Sequence, residues 1–354
     1  MAAPPPPFSH LSGEHEEIHY FADRGSGLQA IVVLHDTSAG PALGGIRCTA
    51  YPDESAALAD ACALARGMTR KCLLAELPAG GGKAVLLDRP GLDRRAAYAA
   101  LGERIEGLGG RFFTAGDLGT TERDLAVLAT ATRYVATRAH GVEDDLAART
   151  AEGVFLAAGT ALEFLGIAEW NGQRVAIQGL GAVGTRLAML ALRAGARVVA
   201  TDRDAERAGR AADTMPIQLV EPDRIFATDC ELFAPCAHGG VLDAATIAQL
   251  RCRIVCGAAN NQLADDSAGD LLAARGILHA PDELVNAGAV IMGCAPALPG
   301  FTPPRDLSGI GHRLRAVLVE ALAKKVAPHR LVAVQVARML DEMRQRRRRG
   351  ATTG

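Results

Sequence analysis

Lys71 and Lys83 sit in stretches whose composition solvation alone does not explain. Lys71 closes the run Gly67-Met68-Thr69-Arg70-Lys71, and Lys83 follows Gly80, Gly81 and Gly82. Glycines there remove side chains and let a ligand or another backbone come close. A lysine partly desolvated beside a second cation has its neutral form favoured, which is what a general base near neutral pH requires. The other lysine can stay charged and hold an anionic substrate group. Two surface lysines around a flexible loop are the plainer alternative. Asp117, in Thr114-Ala115-Gly116-Asp117-Leu118-Gly119-Thr120, is expected at a strand end in a glycine-flanked turn. A carboxylate there either joins the chemistry or serves as a turn or N-cap residue for a helix over 121–128.

The second half carries Gly179-Leu180-Gly181-Ala182-Val183-Gly184 between an apolar run and a helical pattern. Glycines at these positions permit a tight turn (Gly179), close approach of the backbone to a pyrophosphate (Gly181) and close helix–strand packing (Gly184). The helix opened by Ala182 and Val183 would then face an anion with its first amides. Asp202 ends the next strand, where a carboxylate accepts from ribose hydroxyls and repels a 2′-phosphate. NAD is therefore expected over NADP, with Arg203 able to pair with a phosphate and so opposing that preference.

Regular elements must position these groups. The apolar run over 28–34 predicts a strand, and 53–66 predicts a helix between Pro52 and Gly67. Short strands are expected at 85–87 and 112–114, with a helix over 94–108 between them. A helix over 150–165 follows the charged, poorly patterned stretch 138–149. Strands at 175–178, 197–201, 231–233, 254–256 and 277–279 alternate with helices, which implies a parallel sheet covered on both faces. Helices over 307–324 and 331–344 are expected to pack back across the two domains. The fold class is α/β, with an N-terminal α/β domain at 12–149, a doubly wound domain at 150–325 and a C-terminal helix at 326–345.

The chain has 354 residues, 49% hydrophobic and 22% charged, enough for two packed cores. With four Tyr, one Trp and nine Phe, those cores rest on Ala, Leu and Val. A net charge of −2 gives no electrostatic case for nucleic acid or an anionic membrane. No uninterrupted apolar stretch is long enough to span a bilayer, and the Ala/Pro start lacks the marks of a signal peptide. The eight cysteines show no C-x-x-C spacing, so buried thiols in a reducing cytosol are expected, with no metal. The basic run Arg344 to Arg349 reads as a solvated, frayed end.

Taken together, the chain resembles the glutamate/leucine/phenylalanine/valine dehydrogenase family. The resemblance is densest in His35-Asp36-Thr37-Ser38-Ala39-Gly40-Pro41-Ala42-Leu43-Gly44-Gly45-Ile46-Arg47, in Ala65-Arg66-Gly67-Met68-Thr69 with Lys71, and in Gly80 to Lys83. It continues through Asp117-Leu118-Gly119-Thr120, Phe233-Ala234-Pro235-Cys236-Ala237, Asn261-Gln262-Leu263, Ala280-Pro281-Asp282 and Asn286-Ala287-Gly288, and looks closest to the leucine and phenylalanine branch.

The resemblance implies reversible oxidative deamination of an apolar L-amino acid to a 2-oxo acid and ammonia, with NAD reduced, in a cleft between domains. It implies that Lys71 binds the substrate carboxylate, Lys83 activates water, and Asp117 exchanges protons with the amine. Gly44, Gly45 and Met68 would line the substrate site, and Thr150 and Asn261 would lie near the nicotinamide. Homo-oligomers form through the first domain in this family. Met292 and Gly293 stand where the leucine enzymes carry a polar and a branched residue, which predicts a roomier side-chain pocket.

Overall fold

The structure, a computed structural model, describes residues 14–136 and 145–352, with side chains described to residue 349. Most of the charged stretch 138–149 and the Ala/Pro start lie outside the described residues. The chain divides into two compact units. The first comprises Met1–Asp144, Val290–Pro303 and Arg338–Gly354; the second comprises Asp145–Ala289 and Pro304–Ala337.

The first unit is built on a five-stranded mixed sheet of β1 (Glu17–Asp23), β2 (Leu28–Asp36), β3 (Ala42–Thr49), β4 (Gly80–Leu87) and β5 (Phe112–Gly116), in the order β1-β2-β4-β3-β5. β1 and β4 run antiparallel to β2, whereas β3 runs parallel to both β4 and β5. Period-two alternation splits β2 between two cores. Ile31 and Val33 pack with Ala57, Ala61 and Ala65 of α1 (Glu54–Leu74). Ala30, Val32 and Leu34 pack on the other face with Tyr98, Leu101 and Ile105 of α2 (Arg94–Gly107). Small residues on α1 let that helix lie close to the sheet. α3 (Glu122–Leu128) follows β5 and starts at a capping box between Thr121 and Asp124.

Two expectations change here. The first helix does not stop at Gly67: it runs on to Leu74, so Lys71 lies in its last turn. Gly67 has ordinary helical geometry, and a glycine inside a helix costs about 1 kcal/mol, which the packing of α1 on the sheet outweighs. Nor do the three glycines form a flexible loop, because β4 begins at Gly80. A Cβ on Gly81 would lie 2.0 Å from the Thr69 amide nitrogen and 2.5 Å from the Ala65 carbonyl oxygen. The glycine therefore admits the backbone of α1.

The second unit holds a six-stranded parallel sheet of β6 (Arg174–Gln178), β7 (Arg197–Thr201), β8 (Gln218–Leu219), β9 (Leu232–Pro235), β10 (Ile254–Val255) and β11 (Leu278–His279). Its order, β11-β10-β9-β6-β7-β8, is the doubly wound order in which the topology reverses between β6 and β9. α4 (Leu146–Phe164) precedes β6, and α5 (Ala182–Arg193) crosses from β6 to β7. α6 (Ala205–Thr214), α7 (Ala244–Gln249), α8 (Asp266–Ala274) and α9 (Asp282–Val285) follow before α10 (Ser308–Lys324) and α11 (Pro328–Thr352). α4 starts four residues before the expected position because Asp145 caps it, accepting from the Ala148 amide at 2.9 Å.

The basic run at the C-terminus is not a frayed end. It continues α11, Arg344 pairs with the buried carboxylate of Asp36 at 2.8 Å, and Arg347 pairs with Glu16 at 3.0 Å. Among the described residues, no helix is long and apolar enough to cross a membrane. All eight cysteines are free and seven are buried.

Candidate active site

In the first unit, β4 carries Lys83 next to Val85 on the face covered by α1. The Lys83 side chain is 6% exposed, and its Nζ donates to Asp117 Oδ2 at 2.5 Å. Asp117 lies just past β5, and a Cβ on Gly45 would come within 2.9 Å of the Asp117 Cβ. Gly44 is as tightly constrained, since its Cβ would meet the Gly82 carbonyl oxygen at 1.8 Å. Both glycines thus let β3 lie against the segments that carry Lys83 and Asp117. Asp117 caps no helix; Thr121 does.

The structure corrects one premise about Lys83. The neighbour it touches is a carboxylate rather than a second cation. Burial pushes the Asp117 carboxyl up, but Lys83 and Arg47 outweigh it and hold the group below its ordinary value. Lys71, from the end of α1, shares a neighbour with this pair. The Cys294 thiol, pushed up to about 11 by burial, feels the charges of Lys83, Lys71 and Asp117 together. Met68 is half-buried one helical turn before Lys71.

In the second unit, Gly179 adopts φ +99°, a conformation that side chains rarely take, and Gly184 packs on it so closely that a Cβ would lie 1.9 Å from the Gly179 carbonyl oxygen. No atom lies within 4 Å of a Cβ built on Gly181, which faces open space. Gly181 is the N-cap of α5 and offers no side-chain acceptor, so the amides at the start of Ala182 and Val183 are left for another anion. A cavity of about 540 Å³ adjoins this turn, lined by Gly179, Gly181, Asp202, Arg203 and Arg207 among others.

Asp202 does a structural task as well. Its two oxygens accept from the Leu180 and Asp204 amides at 2.8 and 2.9 Å, and Arg207 approaches at 3.3 Å. Arg203 is exposed on the cavity wall. These features fit a dinucleotide: an uncapped helix start, a backbone that can be approached, and a carboxylate fixed at the end of β7.

Asn261 stands at φ +52°, its backbone amide donating to Asp282 Oδ2 at 2.8 Å. Thr150 lies in the second turn of α4, and its hydroxyl donates to the Leu146 carbonyl at 3.1 Å.

Two family models match the chain: the Glu/Leu/Phe/Val dehydrogenase dimerisation domain over residues 15–134, and Glutamate/Leucine/Phenylalanine/Valine dehydrogenase over 141–207 and 203–295. The chain belongs to this family. It is thus an enzyme, an oxidoreductase of the amino-acid dehydrogenase class. Leucine dehydrogenase of Thermoactinomyces intermedius is 38% identical over 95% of the chain and 93% of its own length. Phenylalanine dehydrogenase of the same organism is 40% identical over 83% and 82%. The crystal structure of L-tryptophan dehydrogenase from Nostoc punctiforme superposes with a TM-score of 0.78 at 32% identity, covering 94% of this chain and 97% of that one.

In this family member the groups that hold the expected site residues in place leave little trace in the sequence. Arg47 binds Asp117, and a charged side chain on a strand otherwise so apolar is the signal that could have found it. Asp282 and Asn286 brace the turn at Asn261, the latter through Asn260 at 2.9 Å.

Proposed function

We propose that the chain is an NAD-dependent L-amino-acid dehydrogenase that oxidatively deaminates an apolar amino acid, branched or aromatic, to its 2-oxo acid and ammonia. The single observation carrying this reading is the buried Lys83–Asp117 pair, 2.5 Å apart and flanked by the end of α1 that bears Lys71. Lys71 holds the substrate carboxylate. Asp117 takes the amine proton and returns it to the departing ammonia, and Lys83, once it has released its own proton to solvent, takes one from the water that attacks the iminium carbon. Gly44, Gly45 and Met68 border the substrate. NAD, when bound, accepts hydride from the substrate's α-carbon. Gly179, Gly181, Ala182, Val183 and Gly184 would hold its pyrophosphate, Asp202 and Arg203 would meet its ribose, and Thr150 and Asn261 would flank its nicotinamide.

The first unit then carries the substrate chemistry and the second the dinucleotide, with the junction at the start of α4. The family description of residues 15–134 as a dimerisation domain supports a homo-oligomer formed through the first unit. Eight free cysteines suit a reducing cytosol. Gly293, buried next to Cys294, which feels all three charged groups, brings no side chain to this part of the site, and that absence is the basis for expecting a roomy side-chain pocket. The test is a profile of NAD reduction across L-amino acids. Turnover is expected for large apolar side chains, and for glutamate weakly or not at all. Exclusive use of glutamate, or of leucine over phenylalanine and tryptophan, would contradict this reading of the pocket.

A further inference from the structure

Arg47 is a charged group beside the site to which the proposed chemistry gives no task. It projects from β3, its side chain is 20% exposed, and it is held at both ends. Its Nε donates to Asp117 Oδ2 at 3.2 Å, and its Nη1 donates to Asp60 Oδ2 at 3.0 Å. The same Asp60 oxygen accepts from the Tyr51 hydroxyl at 2.5 Å. A chain of charge-assisted contacts therefore runs Tyr51–Asp60–Arg47–Asp117–Lys83, from the segment before α1 through α1 and β3 to β4.

Two features give this chain a purpose beyond stability. First, Lys83 and Arg47 converge on one and the same oxygen of Asp117, so the carboxylate is gripped from two strands and its rotation is blocked. Second, two positive charges act on Asp117, Lys83 from β4 and Arg47 from β3, and the neutral Cys294 thiol of segment 290–294 feels Asp117 and Lys83 together with Lys71 of α1. Arg47 is half-buried at a cost to its charge, and Asp117, Asp60 and Tyr51 together more than offset that cost. With two carboxylates already bound, its guanidinium is poorly placed to serve as a substrate clamp.

We infer that Arg47 is a positioning residue: anchored by Asp60 and Tyr51, it orients the Asp117 carboxylate toward Lys83 and supplies the second positive charge beside it. The inference rests on the reading that Asp117 exchanges the amine proton. Losing Arg47 removes one of the two charged groups that, with the Leu118 amide, hold the Asp117 carboxyl below its ordinary value, so that value rises. An amine proton acceptor must be ionised, so activity is then lost at a higher pH on acidification.

The experiment is the pH dependence of kcat/KM and kcat for amino-acid oxidation in Arg47→Gln and Arg47→Lys, with NAD affinity measured by equilibrium titration. For Arg47→Gln we expect the acid limb to move up by about one pH unit, kcat to fall by about tenfold or more, and NAD affinity to stay within twofold. Arg47→Lys, which keeps charge without the planar fork, should return the limb toward wild type while kcat recovers only in part. An unmoved limb in folded Arg47→Gln, or a rise in KM alone, would overturn the inference. Should Arg47→Gln fail to fold, Asp60→Asn must shift the same limb in the same direction, and an unshifted limb there counts against us equally. Asp117→Asn separates the two levels. Full activity in that variant overturns the role of Asp117 itself, whereas its inactivity beside an unmoved Arg47→Gln profile overturns only the role of Arg47.

Discussion

Asp202 shows how one side chain can serve structure and recognition together. Both its oxygens bind backbone amides, one in the glycine turn and one in its own loop, so its carboxylate fixes the turn that would meet the pyrophosphate. Arg207 offsets part of its charge, and Arg203 adds a cation on the cavity wall. Asp202→Ala should therefore weaken NAD binding through the loosened turn and relax discrimination against NADP at the same time. Equilibrium titration of both dinucleotides checks this, and an unchanged NAD/NADP affinity ratio would refute the recognition half. The type and position of Asp202, Lys71, Lys83 and Asp117 were legible in the sequence. Their partners were not, because a contact such as Arg47 to Asp117 joins a residue of β3 to one just past β5, 70 positions on, and leaves no local pattern.

At the scale of elements, the sequence revealed those with a clean period and hid those set by tertiary packing. β2 follows from its apolar run and the first part of α1 from helical spacing, and β6, α5 and β7 from the punctuated apolar runs. β3 was not read as a strand because its glycines weaken the pattern, and β8 is two exposed residues paired with β7. The run past Gly67 was misjudged because a glycine is a stop signal only when nothing else holds the helix. What holds it is close contact between α1 and β4 at Gly81. Gly81→Ala should push a methyl into the backbone of Thr69 and Ala65, lowering stability by about 2–4 kcal/mol. Urea unfolding measures this, and a change within about 0.5 kcal/mol would show that the contact yields freely.

At the scale of the whole molecule, buried histidines set an acid limit. Burial holds His35 down to about 4 and His279 down to about 3, from an ordinary 6.5. Neither ring nitrogen of His279 has a hydrogen-bond partner among the described residues. The folded protein therefore binds fewer protons than the unfolded chain below about pH 6.5, and stability falls as pH drops from there toward 4. Each such histidine contributes up to about 1.4 kcal/mol per pH unit in that window. Carboxylates held low, such as Asp117 and Asp124, add their loss only at still lower pH. Thermal melts between pH 7 and 5 should show a steadily falling Tm, and a flat Tm across that range would contradict the neutral burial of these rings.

Family membership and the geometry around Lys83 both support the proposed reaction, which is tested directly by following NADH consumption. With a 2-oxo acid bearing a large apolar side chain, wild-type protein should oxidise NADH only when ammonia is also present. Lys83→Ala should abolish that turnover while leaving NAD binding nearly intact. Turnover that does not require ammonia, or full activity in the Lys83→Ala protein, would contradict the proposed function.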